Sequence, residues 1–198
     1  MERLMETVFE SERIVFVKAT MELVPDYLVM VNDIEHVARF ISDRRKPYTE
    51  EEERAYIQDK LDNNAVMFSM IERSTGRFIG NTEFFDRKEN DAEWGIAITA
   101  SMQDKGYGKE ALLRMTDYGF NELGLERIRL TVFVDNPRAF HVYEKCGFKE
   151  YHRNNVDIFM DIRKEKNFRF LRFTEDRRRH ANESTCNQLQ SGKERRNS

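Results

Sequence analysis

The sequence predicts a layered α/β fold: one domain with a mixed, mostly antiparallel twisted sheet of about six to seven strands flanked by helices. Three observations predict it. Short β-rich runs recur at 13–18, 65–72, 77–85, 93–99, 127–134, 149–153 and 156–163. Three of them are consecutive and joined by turn sequences, Arg73-Ser-Thr-Gly76 and Arg87-Lys-Glu-Asn-Asp91, which is hairpin chemistry. After them, helical segments alternate with strands, so helices cover the sheet.

Each element has a local cause. The run 13–18, Arg-Ile-Val-Phe-Val-Lys, is β-branched and apolar. Over 21–32, Met21, Val24, Leu28 and Val31 recur at helical spacing, with Pro25 near the start, where proline is tolerated. Thr49 is an N-cap followed by four glutamates, which favours a helix to about Leu61. Residues 108–123 place Leu112, Met115, Gly119 and Phe120 on one helical face and end near Gly124. A second helix, 137–145, opens with Pro137 in its first position and Asn136 as N-cap.

The domain is assigned to residues 1–163. There 23 Lys/Arg face 31 Asp/Glu, whereas 164–198 hold 10 against 5, so the body attracts cations and the tail anions. Apart from a brief Phe168–Phe173 cluster, the tail is polar and basic and reads as largely disordered. Its Arg177-Arg-Arg-His180 run lacks interleaved aromatics and does not point to a nucleic-acid partner. No apolar run is long enough for a membrane span, and no secretory leader is visible at the N-terminus. The two cysteines, Cys146 and Cys186, make neither a disulfide framework nor a metal site, and the expected compartment is a reducing cytoplasm.

The chemistry concentrates at 93–110. An apolar strand runs into the loop Gln103-Asp104-Lys105-Gly106-Tyr107-Gly108-Lys109, and a helix follows at once. Amides freed at a helix start, the partial positive charge there, and glycines that admit close approach suit a pyrophosphate. Lys105 and Lys109 add formal charge. A plain turn and helix cap would use the same two glycines, so the loop alone leaves both readings open.

Glu93-Trp-Gly-Ile-Ala-Ile98 with Gln103-x-x-Gly106-x-Gly108 resembles the acetyl-CoA-binding motif of the GNAT N-acetyltransferase superfamily. A second match follows at family spacing: Thr131-Val-Phe-Val-Asp-Asn136-Pro-Arg-Ala139, then Tyr143-x-x-x-Gly147-Phe148. Within the family the resemblance, covering residues 13–163, is nearest to the branch acting on polyamines, ribosomal proteins and protein N-termini. It implies acetyl-CoA as co-substrate, held by Gln103, Asp104, Lys105, Gly106, Tyr107, Gly108 and Lys109. The pantetheine arm would lie along Ile96, Ala97 and Ile98, beside Asn136.

By the same resemblance Tyr143 protonates the departing thiolate. A phenol of pKa about 10 suits a thiol of about 8.5. A tyrosine packed on the sheet is the competing reading of its spacing. For the base that deprotonates the amine, Glu93 and Glu83 are the candidates, both on strands near the centre; solvent-facing structural roles compete for each. No metal is implied. The acceptor would be a primary amine, either a polyamine or small amine or a protein N-terminus, taken by direct attack in a ternary complex. The loop after the first helix, with Asp33, Glu35 and Asp43 but also Arg44, Arg45 and Lys46, would shape its site. A non-catalytic acyl-CoA-binding regulator is the alternative, and a homodimer is compatible with the family.

Overall fold

In a computed structural model, residues 5–41 and 46–164 are described. Among them the chain forms β1 (Thr7–Glu10), β2 (Ile14–Lys18), α1 (Val24–Val31), α2 (Glu50–Asp62), β3 (Val66–Glu72), β4 (Phe78–Lys88) and β5 (Asp91–Ile98). Then come α3 (Tyr107–Asn121), β6 (Arg127–Phe133), α4 (Pro137–Lys145), β7 (Lys149–Arg153) and β8 (Asp157–Arg163). One sheet takes the order β1-β2-β3-β4-β5-β6-β8-β7. Only β5 and β6 run parallel; every other neighbouring pair is antiparallel.

The layered α/β expectation holds, with eight strands rather than six to seven. The additional strand is β1. It is four residues long with no apolar alternation to announce it, and tertiary contacts hold it: the Phe9 ring stacks 4.5 Å from Phe16 and 4.6 Å from Tyr118, and the Arg114 guanidinium lies 4.5 Å above it. The helix expected over 21–32 is a 3-10 turn at Met21–Leu23 that passes into α1 at Val24, with Pro25 in its first turn. The expected α2 start is observed as a full capping box, Thr49 accepting from the Glu52 amide while the Glu52 carboxylate accepts from the Thr49 amide. The expectations for Asp43, Arg44, Arg45 and residues 165–198, Cys186 included, lie outside the described residues. No helix among those described is long and apolar enough to cross a membrane.

Consecutive residues of β3 show how the layers divide, because neighbouring side chains on a strand point to opposite faces. Met67 and Ile71 join Tyr27 and Met30 of α1 and Ile57 of α2 in one core. Phe68 turns the other way and meets the Tyr118 ring of α3 edge-on at 5.4 Å. α3 lies close against its face at Gly119, where a Cβ would fall 2.9 Å from both Phe84 and Ile128.

The feature that positions the site is a parting of the sheet. β5 pairs with β6 only from Asp91↔Arg127 to Glu93↔Arg129. β4 stays on β5 as far as Gly80↔Ile98, and β8 stays on β6 as far as Phe133↔Asp157. A gap therefore opens between 94–98 and 130–133. Arg129 marks its closed end, bonding Asp91 at 2.5 Å, Glu93 at 3.0 Å and Asp86 at 3.0 Å, while Thr131 donates to Glu93 at 2.9 Å.

β4 can follow β5 this far because residue 80 is glycine. A Cβ there would sit 2.0 Å from the Ala97 carbonyl oxygen, which cannot move without shifting the strand. Gly80→Ala should lower stability by about 1–3 kcal/mol in urea unfolding. An unaltered midpoint would contradict this packing.

Candidate active site

On β5 the Ala97 carbonyl faces Gly80 of β4, and the Thr99 amide donates to Ile79 at 3.0 Å. Alternation then turns the amides and carbonyls of Ile96 and Ile98 away from β4, into the gap. Gln103 Nε2 donates to the Ile98 carbonyl at 3.0 Å and to the His36 carbonyl at 3.1 Å. The Gln103 side chain thus fastens the end of β5 to the segment after α1, leaving its loop's main chain to face a ligand. Along the gap, β5 offers a strand edge on which the Ile96 amide and carbonyl and the Ile98 amide are left unpaired by β6, while the Ile98 carbonyl is taken by Gln103.

α3 starts at the open end. Gly108 lies against Ile98, where a Cβ would come 3.3 Å from the Ile98 side chain. Gly106 is the N-cap at φ +83° and offers no side chain to the first amides of the helix. Asp104 is also left-handed, at φ +61°. Such a turn leads successive N–H groups in one direction at the positive end of the helix.

Arg13 holds this loop, and nothing in the sequence marks it for that role. Its Nη1 donates to the Lys105 carbonyl at 2.8 Å, its Nε pairs with Glu110 at 2.7 Å, and its guanidinium lies 4.6 Å over the Tyr107 ring. Glu110 also accepts from the Arg13 amide and the Ser11 hydroxyl, both at 2.7 Å. The Tyr107 hydroxyl donates to Glu72 of β3. The Lys105 carbonyl is thereby engaged by Arg13. Lys105 and Lys109 are exposed there.

α4 closes over the gap. Asn136 Oδ1 caps it, accepting from the Ala139 amide at 3.2 Å, and Arg138 pairs with Asp104 at 2.9 Å. Farther along, the Tyr143 ring meets Trp94 of β5 edge-on at 5.9 Å. Trp94 is fixed by its Nε1 donating to Thr82 Oγ1 at 2.8 Å, and that hydroxyl donates to the Gly95 carbonyl at 3.0 Å. The half-buried Tyr143 hydroxyl makes no hydrogen bond among the described residues. Burial pushes its pKa up to about 12, with a smaller push from neighbouring Cys146. Burial raises the Cys146 thiol in the same way, against a lowering by Lys109.

The two carboxylates are both engaged. Glu83, opposite Gly95 on β4, takes the Lys60 ammonium at 2.5 Å and the Tyr56 hydroxyl at 3.5 Å. Glu93 sits at the closed end of the gap with Arg129 and Thr131. The structure thus gathers Ile96, Ile98, the 103–109 loop, Asn136 and Tyr143 around the gap. Ala97 points its main chain at β4, Glu83 lies one strand over, and Glu93 is bound into the ion cluster.

Residues 13–149 match the acetyltransferase (GNAT) domain family. The chain belongs to this family. Its sequence is 34% identical over 108 residues to a spermidine N(1)-acetyltransferase of Vibrio cholerae. That alignment spans 53% of this chain and 62% of the relative, less than two thirds of its length. Among solved structures, a GNAT-family acetyltransferase of Bacillus anthracis superposes with a TM-score of 0.69 at 22% identity, covering 78% of this chain and 96% of that one. A Vibrio cholerae spermidine N-acetyltransferase, solved with CoA and spermine, superposes at 0.67 and 24% identity, over 77% and 96%. At these identities the superpositions establish that the GNAT fold is shared.

Because Arg13 orients the loop main chain, Arg13→Ala should weaken CoA binding about tenfold in calorimetry, roughly the loss of one charge-assisted hydrogen-bond network on the surface. Unchanged affinity would mean that the loop holds its shape without Arg13.

Proposed function

We propose that this GNAT protein is an N-acetyltransferase that moves the acetyl group of acetyl-CoA to a primary amine by direct attack in a ternary complex. One observation carries the reading: a strand edge left by β6, free at Ile96 and at the Ile98 amide, connects an uncapped helix start at Gly106 with the unpartnered hydroxyl of Tyr143. A long amide-bearing arm with an anionic head and a reactive far end fits that arrangement. The co-substrate supplies the acetyl group as a thioester.

The roles follow from the placement. Main-chain amides of residues 104–109 hold the pyrophosphate, with Lys105 and Lys109 beside it. Ile96 and Ile98 pair with the arm, and an amide of that edge donates to the thioester oxygen as charge develops on it. Asn136 keeps its Nδ2 for the arm while its Oδ1 caps α4. The amine nitrogen bonds to the acetyl carbon as the C–S bond breaks. Tyr143 gives its proton to the departing sulfur, and the second proton that the acylated nitrogen sheds restores the Tyr143 hydroxyl through water. A phenol near 12 is a weak donor for a free thiolate, but the burial that raises Tyr143 and Cys146 raises a thiol leaving there as well, and this narrows the mismatch. Glu83, opposite Gly95, receives the ammonium proton through water, since Lys60 occupies its direct face. Arg129 and Thr131 occupy the Glu93 carboxylate.

The acidic body favours a cationic acceptor, a polyamine or small amine or a protein N-terminus. A regulatory acyl-CoA-binding module would use the same gap but would have no need of an unpartnered hydroxyl at Tyr143. Thiol release from acetyl-CoA with a panel of amines tests the proposal; CoA binding without release on any amine would favour the regulator.

Tyr143→Phe should lower kcat about 10²–10⁴-fold with CoA affinity retained. Equal turnover by the variant would remove Tyr143 from the chemistry. Because the phenol titrates upward to about 12, it stays protonated below that pH. The kcat profile should therefore rise as the amine loses its proton near pH 10 and show no falling limb from Tyr143 until about pH 12. A falling limb below pH 10 that vanishes in Tyr143→Phe would contradict this assignment.

A further inference from the structure

Among the described residues one buried side-chain atom has no hydrogen-bond partner, Oδ1 of Asn81. Asn81 is 8% exposed and lies on β4, the strand that stays on β5 along the gap. A buried carbonyl oxygen left without a donor is costly, and the chemistry described above makes no use of it. The polar groups on this side are engaged elsewhere. Tyr27 is hydrogen-bonded to Ser69, Tyr56 and Lys60 to Glu83, and Arg129 and Thr131 to Glu93.

Register places this atom beside the transfer centre. Asn81 pairs with Ser69 of β3 on one side and with Ala97 of β5 on the other. Asn81 and Glu83 are two residues apart, so their side chains share a face of β4. It is the face toward α1 and α2, because Glu83 meets Lys60 of α2 and Ser69 is bonded to Tyr27 of α1 at 2.7 Å. Between them Thr82 pairs with Ile96, whose amide looks into the gap. Alternate residues of a strand stand about 7 Å apart and neighbouring strands about 5 Å. Asn81 and Glu83 therefore flank the level of Ile96, one strand away from the gap. On β5 the same face carries Gly95 and Ala97, both half-buried, so little side chain stands between these two polar groups and the gap.

An amine that attacks a carbonyl carbon must aim its lone pair at that carbon and its N–H bonds elsewhere. A carboxylate accepting such an N–H would also stabilise the ammonium and raise its pKa, whereas an amide oxygen orients the nitrogen without adding charge. Resting on the acetyltransferase reading, we infer that Asn81 is the residue that orients the nucleophile: its Oδ1 accepts one N–H of the acceptor nitrogen and turns the lone pair toward the acetyl carbon. Glu83 takes the ammonium proton through water, Asn81 holds the neutral amine, and no bond is made or broken at Asn81 itself.

The test follows thiol release from acetyl-CoA with spermidine, butylamine and a serine-led tripeptide, in the full native chain and in Asn81→Leu and Asn81→Asp. Asn81→Leu should lower kcat about 10²-fold for every acceptor that the native chain uses, the size expected when a nucleophile loses its orientation. Its CoA affinity in calorimetry should be native, and its thermal midpoint should equal or exceed the native one, because an unpaired buried polar atom is gone. Asn81→Asp keeps an oxygen in place but sets a charge beside the bound amine. It should recover most of the lost kcat at high pH and move the rising limb of the kcat profile up by about one pH unit. A residue that only supported the fold would move no limb. Unchanged kcat in Asn81→Leu, or a loss in Asn81→Asp as deep as in Asn81→Leu with the limb unmoved, would overturn the inference and leave the acetyltransferase reading intact. If Asn81→Leu does not fold, the limb of Asn81→Asp decides alone. No thiol release by the native chain with any of the three amines, with CoA still bound, removes the acetyltransferase reading and this inference with it.

Discussion

The end of the β5–β6 ladder at Glu93↔Arg129 is the constraint on which the remaining architecture depends. Two parallel strands that stayed paired would bury their edge groups in each other and offer nothing to a ligand. Here the pairing stops after three residue pairs, and Arg129 anchors the stop by bonding carboxylates from both sides of the β4–β5 turn together with Glu93. Arg129 is only 16% exposed, so the surrounding water screens this cluster less than it would a surface pair. The cluster fixes where the gap begins. Gly80 and β4 fix how far β5 continues alone.

What enters the gap is governed by the ends of two helices. α3 begins without a capping side chain, in a turn whose positive φ angles gather amides, and Arg13 keeps one carbonyl out of their way. α4 is capped in the ordinary manner by Asn136, yet it carries Tyr143 onto the opposite wall. The uncapped helix leaves its first amides open, whereas the capped one is a rigid lever for a side chain. These contrasting helix starts give the gap a charged end and a dry, aromatic end.

Much of this could be read from the residues in order. Pro137 after Asn136, Thr49 before four glutamates, and the glycines at 106 and 108 each specify a local geometry, and each element formed where its signal lay. The parting of the sheet had no mark in the residues, since no strand announces where its neighbour leaves it. Arg13, 92 residues from the carbonyl it holds, carries no local mark. β1 was invisible for the same reason: Phe9 gains its partners from β2 and α3. Glu83 and Glu93 were equal on paper because both fall on β-rich runs near the centre of the chain's chemistry. Lys60 and Arg129, which distinguish their surroundings, arrive from α2 and β6.

Trp94 is the single tryptophan of the chain, 3% exposed, hydrogen-bonded to Thr82 and edge-on to Tyr143. The protein consequently carries an intrinsic optical probe at the dry end of its gap. Its ultraviolet emission comes from one indole at one known place, so every change in intensity or wavelength reports on the wall that Tyr143 occupies. Excited beyond the absorption of the seven tyrosines, this one indole lets occupation of the gap be followed in real time on the unlabelled chain.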